Sequence, residues 1–248
     1  MEALVPHAGE HVAALAELAE EEQRMLEEHA ASFLQKWGAT QDALPVDALL
    51  AEHPVMRKRI LRLWWGKARP MLDRAHTEAL AALAEASVGS RCMLPCGLCG
   101  ERGYRYLHLT GEKPPAFAPV PLPTDGAVTS AGITVTVVPA AFGDAVGDGK
   151  QTQLLPKKAL AGCVVRCRQT GDRFRPFGAA GHRKLQDELV DRRVDAAFRD
   201  HVPLIARGQD VLLIAGVGAS EEARLTRGEE VLRVSFSGKM PWMDQTED

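Results

Sequence analysis

Residues 166–193 read RCRQTGDRFRPFGAAGHRKLQDELVDRR, and this stretch decides the fold of the C-terminal half. The run from Cys163 to Cys167 reads as a strand, so Arg166 and Arg168, two apart, project from one face. Gly171 permits a turn, and Asp172 is placed to bond backbone amides or a neighbouring arginine. Arg173 and Arg175 alternate with Phe174, whose ring anchors the segment in a core. Pro176, Gly178 and Gly181 make a loop that is stiff and then open. A helix is expected from near His182, with Leu185, Leu189 and Val194 as its buried stripe. Its first amides, together with Arg183 and Lys184, suit a phosphate. Six basic groups (Arg166, Arg168, Arg173, Arg175, Arg183 and Lys184) thus flank one glycine loop. Gly178-Ala179-Ala180-Gly181 also fits the G-x-x-G loop of a KH module, although that fold needs a helix before the loop.

Working outward, Pro203 to Ala206 and Val211 to Ala215 form a hairpin around Gly208-Gln209-Asp210. Val231 to Phe236 closes the unit as a strand, and the tail from Gly238 looks loose. Strands mixed with one well-marked helix predict a small α+β domain over 154–238, with 239–248 as a tail. Upstream, Lys113 to Thr124 holds five prolines, which exclude a regular helix or central strand. Residues 112–153 therefore read as a Pro/Gly-rich linker containing one strand, Ile133 to Val138.

Residues 1–111 read as a helical domain ending in a hairpin. Val12, Leu15, Leu18, Leu26, Phe33 and Trp37 recur at near-helical spacing, with Gly38 as a stop. Shorter helices follow over 46–52, from Val55 to Trp65, and from Leu72 to Ala86. From Arg91 the pattern changes to short strands around Gly100 and Gly103. The whole chain is expected to be α+β, with a helical first domain and a mixed second one.

The 248 residues are 46% hydrophobic and 25% charged, enough for two ordinary domains. No apolar run approaches the roughly 18 residues that span a bilayer, and the Met-Glu start does not resemble a secretory signal. A cytoplasmic setting with five reduced cysteines is expected. The net charge of −3 is unevenly spread. Residues 1–36 carry eight Glu against Arg24 and Lys36, whereas 157–199 carry eleven Lys or Arg against five acids. Such asymmetry suggests a localised polyanion site. Arg57, Lys58, Arg59, Arg62, Lys67 and Arg69 form a second basic stretch. Lys58 and Arg62 share a helix face at i, i+4 and are candidates for a sugar–phosphate backbone. Trp64 and Trp65 between them read as core.

Cys92, Cys96 and Cys99 stand at C-x3-C-x2-C, the spacing of the iron–sulfur motif of radical SAM enzymes. Here Leu98 replaces the usual aromatic, and no barrel-like β/α alternation follows. Zinc would lack a convincing fourth ligand, with His108 the nearest candidate. Free thiols in a hairpin are the plainer reading, and Cys163 and Cys167 read as core. No phosphate-binding G-x-x-x-x-G-K-[ST] loop, S-G-G-x-D-S loop, H-E-x-x-H or G-x-S-x-G occurs. No catalytic residue and no cofactor are assigned to this chain. A metal enzyme on the three cysteines and a stand-alone protein-interaction module remain the alternatives to nucleic-acid binding.

The stretch Val164 to Ser220 resembles the C-terminal domain of the tRNA(Ile)-lysidine synthetase family. The resemblance rests on Arg166 and Arg168, on Gly171 to Phe174 with Pro176 and Gly178, and on Gly181, Arg183, Lys184, Leu185 and Asp187. Arg199-Asp200, Pro203-Leu204 and Gly216 to Ser220 continue it. More loosely, the acidic first helix, the basic helix, the His76 to Leu83 helix and the LPCGL hairpin are similar to the family's central substrate-binding region. The resemblance implies a ligase in tRNA modification, which uses ATP to join lysine to the wobble cytidine of a minor isoleucine tRNA, making lysidine. It places ATP and the cytidine in an N-terminal pyrophosphatase domain, which this chain is expected to lack; ATP and lysine are expected only for the intact enzyme, and the chain alone is expected to bind tRNA without catalysing. The implied binding residues are Arg166, Arg168, Arg173, Arg175, His182, Arg183, Lys184, Lys58 and Arg62. Gly171, Asp172, Gly178 and Gly181 are expected to orient the loop. Beyond tRNA, the partners considered are a separate catalytic domain and a second copy of the chain; no membrane is expected.

Overall fold

In a computed structural model of the chain, residues 8–66, 69–111, 118–144, 149–238 and 240–243 are described. They fall into two units, 1–112 and 113–248.

The first unit is helical and then β. Helix α1 (Ala8–Lys36) is followed by β1 (Ala43–Pro45), α2 (Val46–Ala51), α3 (Pro54–Trp65) and α4 (Arg74–Glu85). Strands β2 (Arg91–Met93), β3 (Cys99–Arg102) and β4 (Tyr106–Thr110) complete an antiparallel sheet in the order β1-β4-β3-β2. Pro54 opens α3, where its missing N–H costs nothing, and His53 Nδ1 accepts from the Val55 amide. Asp73 caps α4 by accepting from the His76 amide at 2.7 Å. Helix α3 buries Met56, Ile60, Leu61, Trp64 and Trp65. Both tryptophans are core, as expected, and their indole N–H groups donate to the carbonyls of Thr40 and Pro70. Helix α4 lies against β3 so closely that a Cβ on Gly100 would stand about 3 Å from Leu80, Leu83 and Cys92 side chains. The apolar stripe of α1 is used only from Leu26 onward; Val12, Leu15 and Leu18 lie on the surface.

The second unit holds two sheets around one core. Strands β5 (Val120–Pro121), β6 (Gly126–Ser130), β7 (Ile133–Ala140) and β8 (Thr152–Pro156) lead into α5 (Lys157–Leu160) and β9 (Val164–Arg166). Then come β10 (Arg173–Phe174), β11 (Arg183–Lys184), α6 (Leu185–Asp191), α7 (Ala196–Arg199), β12 (Leu204–Arg207), β13 (Asp210–Ile214), β14 (Gly218–Ala219) and β15 (Val231–Gly238). One sheet runs β6-β7-β15-β8, the other β11-β10-β13-β12-β9-β5, with β14 beside β13. Among the described residues, only the β10–β13 pairing is parallel.

Among its described residues, the stretch expected as a linker with one strand, 112–153, supplies β5, β6, β7 and the start of β8 to this unit. Ala131 and Gly132, both at positive φ, make the two-residue turn that pairs β6 with β7. In the described part of the proline-rich run, Val120–Pro121 forms a strand at a sheet edge, where a missing N–H is tolerated. The tail expected to be loose also differs: Met240 and Trp242 are buried, and the Trp242 indole donates to the Ala215 carbonyl at 2.9 Å. The α+β class expected from the sequence is the class observed. Among the described residues no helix is long and apolar enough to cross a membrane.

Candidate nucleic-acid interface

The glycine loop is built on a buried ion pair. Arg166 donates from Nη1 and Nη2 to the two carboxylate oxygens of Asp172, each at 2.7 Å, and also to the Cys167 and Gly208 carbonyls. Asp172 in turn accepts from the Gln169 amide at 2.7 Å. With side chains 3% and 2% exposed, the pair has no reach to solvent. The expectation that Arg166 touches RNA is therefore corrected: β9 ends at Arg166, so Arg166 turns into the core while Arg168 lies beyond the strand. Asp172 links Arg166 to the Gln169 amide across the loop. Gly171 adopts φ +91°, and a Cβ there would meet the Gln209 amide nitrogen at 2.7 Å, so glycine is required twice over.

Above this pair lies a hollow of ≈ 830 Å³ lined by Arg168, Arg173, His182, Arg183, Lys184 and Asp200, among others. The β10–β11 register explains the convergence, because Arg173 stands directly opposite Lys184 and Phe174 opposite Arg183. Phe174 is 2% exposed and anchors the strand in the core. Most basic groups at the rim already hold a carboxylate. Arg168 donates to Asp200 at 2.7 Å and to Gln186; Arg173 bonds Asp210; Arg183 bonds Asp191 and lies 3.2 Å from Glu188. His182 meets Glu222 at 2.7 Å. Lys184 has no ion-pair partner among the described residues. Hydrogen bonding from Arg173 holds the Asp210 carboxyl below its ordinary range, against a smaller opposing effect of burial. The same bond raises Arg173, and Asp191 does likewise for Arg183. Solvent-exposed pairs of this kind contribute only about 0–1 kcal/mol each. A phosphate can therefore take Arg168 or Arg173 from its carboxylate at little cost, whereas Arg183 also holds the buried Glu188.

Four further expectations are corrected. Arg175 does not line the hollow; its Nε donates to the Ala179 carbonyl at 2.8 Å and closes the 176–179 turn. The helix starts at Leu185, not near His182, and carries Asp187 and Glu188 in its first turn. Those carboxylates complement the helix dipole and repel a phosphate at that end. Gly178 needs its φ of +77°, but Gly181 has no left-handed φ and open space at its Cβ. The loop follows strand β10, so it is not a KH loop.

In the first unit, Lys58 and Arg62 share one flank of α3, facing α4. Lys58 pairs with Glu78 at 3.7 Å, and Arg62 Nε lies 3.4 Å from the Thr77 hydroxyl. Arg59, Arg62 and Arg69 border a separate groove of ≈ 680 Å³ with Trp65 and Met71. Arg57 is spent on the Glu52 and Leu50 carbonyls and on Glu85. Lys67 lies outside the described residues.

Cys92, Cys96 and Cys99 lie on β2, in the turn that follows it and on β3. Cys92 points at Gly100 against α4, Cys96 is exposed at φ 62° in the turn, and Cys99 is on the next strand. Burial, then the nearby Cys99, pushes the Cys92 thiol up. Among the described residues no three His, Cys, Asp or Glu side chains are arranged for a metal ion. Cys163 and Cys167 are core, and burial pushes the Cys163 thiol up.

Reading the sequence missed the carboxylates that hold the rim, because Asp200, Asp210 and Glu222 arrive from distant strands and turns. It also passed over Phe177, an exposed ring in the loop after Phe174.

Two family models match the chain: "TilS substrate binding domain" over residues 44–106 and "TilS substrate C-terminal domain" over 163–236. Among curated relatives, a tRNA(Ile)-lysidine synthase of Caldanaerobacter subterraneus subsp. tengcongensis is 26% identical over 203 residues, covering 77% of this chain and 43% of that protein. One from Dehalococcoides mccartyi is 23% identical over 240 residues, covering 88% and 50%. One from Symbiobacterium thermophilum reaches 38% over 103 residues, covering 40% and 21%. The chain thus spans at most half the length of these relatives. A solved structure described as the crystal structure of a TILS C-terminal domain aligns at a TM-score of 0.39 and 20% identity, covering 51% of this chain and 94% of its own.

Proposed function

From the premise that the chain belongs to the tRNA(Ile)-lysidine synthase family, carrying its substrate-binding and C-terminal domains, we propose that it grips tRNA for lysidine formation. The hollow of the second unit binds the sugar–phosphate backbone through Arg168, Arg173, Arg183 and Lys184, with His182 at its edge. Lys58 and Arg62 give a second contact in the first unit. Ligation of lysine to the wobble cytidine, with its ATP, belongs to another part of the working enzyme, and the tRNA is the minor isoleucine species. The observation that carries this reading is the convergence of four cationic side chains on one hollow: Lys184 without an ion-pair partner among the described residues, Arg168 and Arg173 on carboxylates that solvent reaches, and Arg183 shared between exposed Asp191 and buried Glu188.

The test is binding of the minor isoleucine tRNA over a range of salt, with methionine tRNA as competitor. Binding through several phosphates gives a steep fall of affinity with salt. Lys184→Ala should weaken binding and reduce the slope by about one. Salt-insensitive binding, or an unchanged slope in that variant, sinks the proposal.

A further inference from the structure

We infer that Phe177 is a stacking platform for one unpaired nucleobase, an inference that rests on the tRNA-binding reading and adds a specificity residue to it. Phe177 is 60% exposed, although a phenyl ring in water is unfavourable and a polar residue would serve a plain turn. The turn that carries it is fixed from both sides. Gly178 donates its amide to Glu221 at 2.9 Å, the Glu221 amide and the Ser220 hydroxyl donate to the Arg175 carbonyl, and Arg175 Nε closes onto Ala179. A ring held out on so many bonds is preorganised for a ligand, with little conformational freedom left to lose.

One face of that ring is already taken. The Arg224 guanidinium lies 4.7 Å from its centroid and is itself oriented by Glu221 at 2.8 Å. The opposite face is left for a single flat partner, giving a guanidinium–phenyl–base stack. A base within a duplex has neighbours on both faces, so the partner must be unpaired. The turn of Phe177 is linked to the rim of the cationic hollow. Glu221, which holds its turn, precedes Glu222, and Glu222 holds His182 at the hollow's edge. An aromatic plate next to a phosphate-binding surface is the arrangement by which proteins hold single-stranded nucleic acid. A protein-docking patch would surround the ring with apolar side chains, but here its bonded surroundings are Arg175, Gly178, Glu221 and Arg224.

The experiment compares the wild type, Phe177→Leu and Phe177→Trp for binding to the tRNA and to a blunt-ended, fully paired RNA duplex, with melting temperatures to show that each variant folds. Phe177→Leu should bind the tRNA about tenfold more weakly or worse, with an unchanged salt slope, because no phosphate contact is lost. Its affinity for the duplex should stay at the wild-type value, and Phe177→Trp should restore tRNA binding. Equal weakening toward both RNAs, or none toward either, overturns the inference while leaving the phosphate-binding reading intact. A wild-type protein that binds neither RNA overturns both.

Discussion

The Arg166 guanidinium and the Asp172 carboxylate face each other through two hydrogen bonds of 2.7 Å, sealed from solvent, six residues apart in sequence. The pair folds the 167–172 loop back onto β9 and divides the arginines of the motif into two classes. Arg166 is structural, whereas Arg168 and Arg173 stand outside, each tied to a carboxylate that water can reach.

Breaking the buried pair from one side leaves an uncompensated charge in the core. Arg166→Met or Asp172→Leu should each cost about 3–5 kcal/mol in urea unfolding, and the double variant should cost less than the sum. Single variants with unchanged midpoints would show that the pair does not hold the loop.

The two glycines flanking the basic loop should behave differently. Gly171→Ala meets both a left-handed φ and the Gln209 side chain, and should cost at least about 1–2 kcal/mol. Gly181→Ala meets neither and should stay within about 0.5 kcal/mol of the parent. Equal effects in thermal unfolding would contradict the geometry.

Asp210 should titrate below its ordinary value of 3.8, because the hydrogen bond from Arg173 favours the charged form. A depressed folded pKa stabilises the fold above the unfolded value, and that contribution is lost as pH falls through the folded one. NMR titration of the carboxyl in the wild type and in Arg173→Ala checks this. The variant should return Asp210 toward 3.8, and identical curves would contradict the bond.

Much of this was legible in the residues. Helical spacing marked α3 and α4, Gly208 marked the β12–β13 hairpin, and the basic density between Arg166 and Lys184 marked the hollow. Side-chain direction was not legible. A three-residue strand ending at Arg166 sends that arginine inward, and no local pattern distinguishes it from Arg168. The β6–β7 pair was hidden because Gly126–Ser130 carries a single sizeable apolar residue, Val128, and gets its strand identity from β7. The carboxylates opposite Arg168, Arg173 and His182 come from 32 to 40 residues away, beyond any spacing rule. The Arg224–Phe177 contact, 47 residues apart in the numbering, is of the same kind.

The most direct measurement is the tRNA affinity of Arg173→Ala and Asp210→Asn across salt concentrations. If Arg173 exchanges Asp210 for a phosphate, removing the arginine weakens binding and lowers the salt slope by about one. Removing the competing carboxylate frees the arginine and tightens binding. Opposite shifts of the two variants are expected; affinities that stay put, or fall alike in both, would mean that the pair serves the fold and not the tRNA.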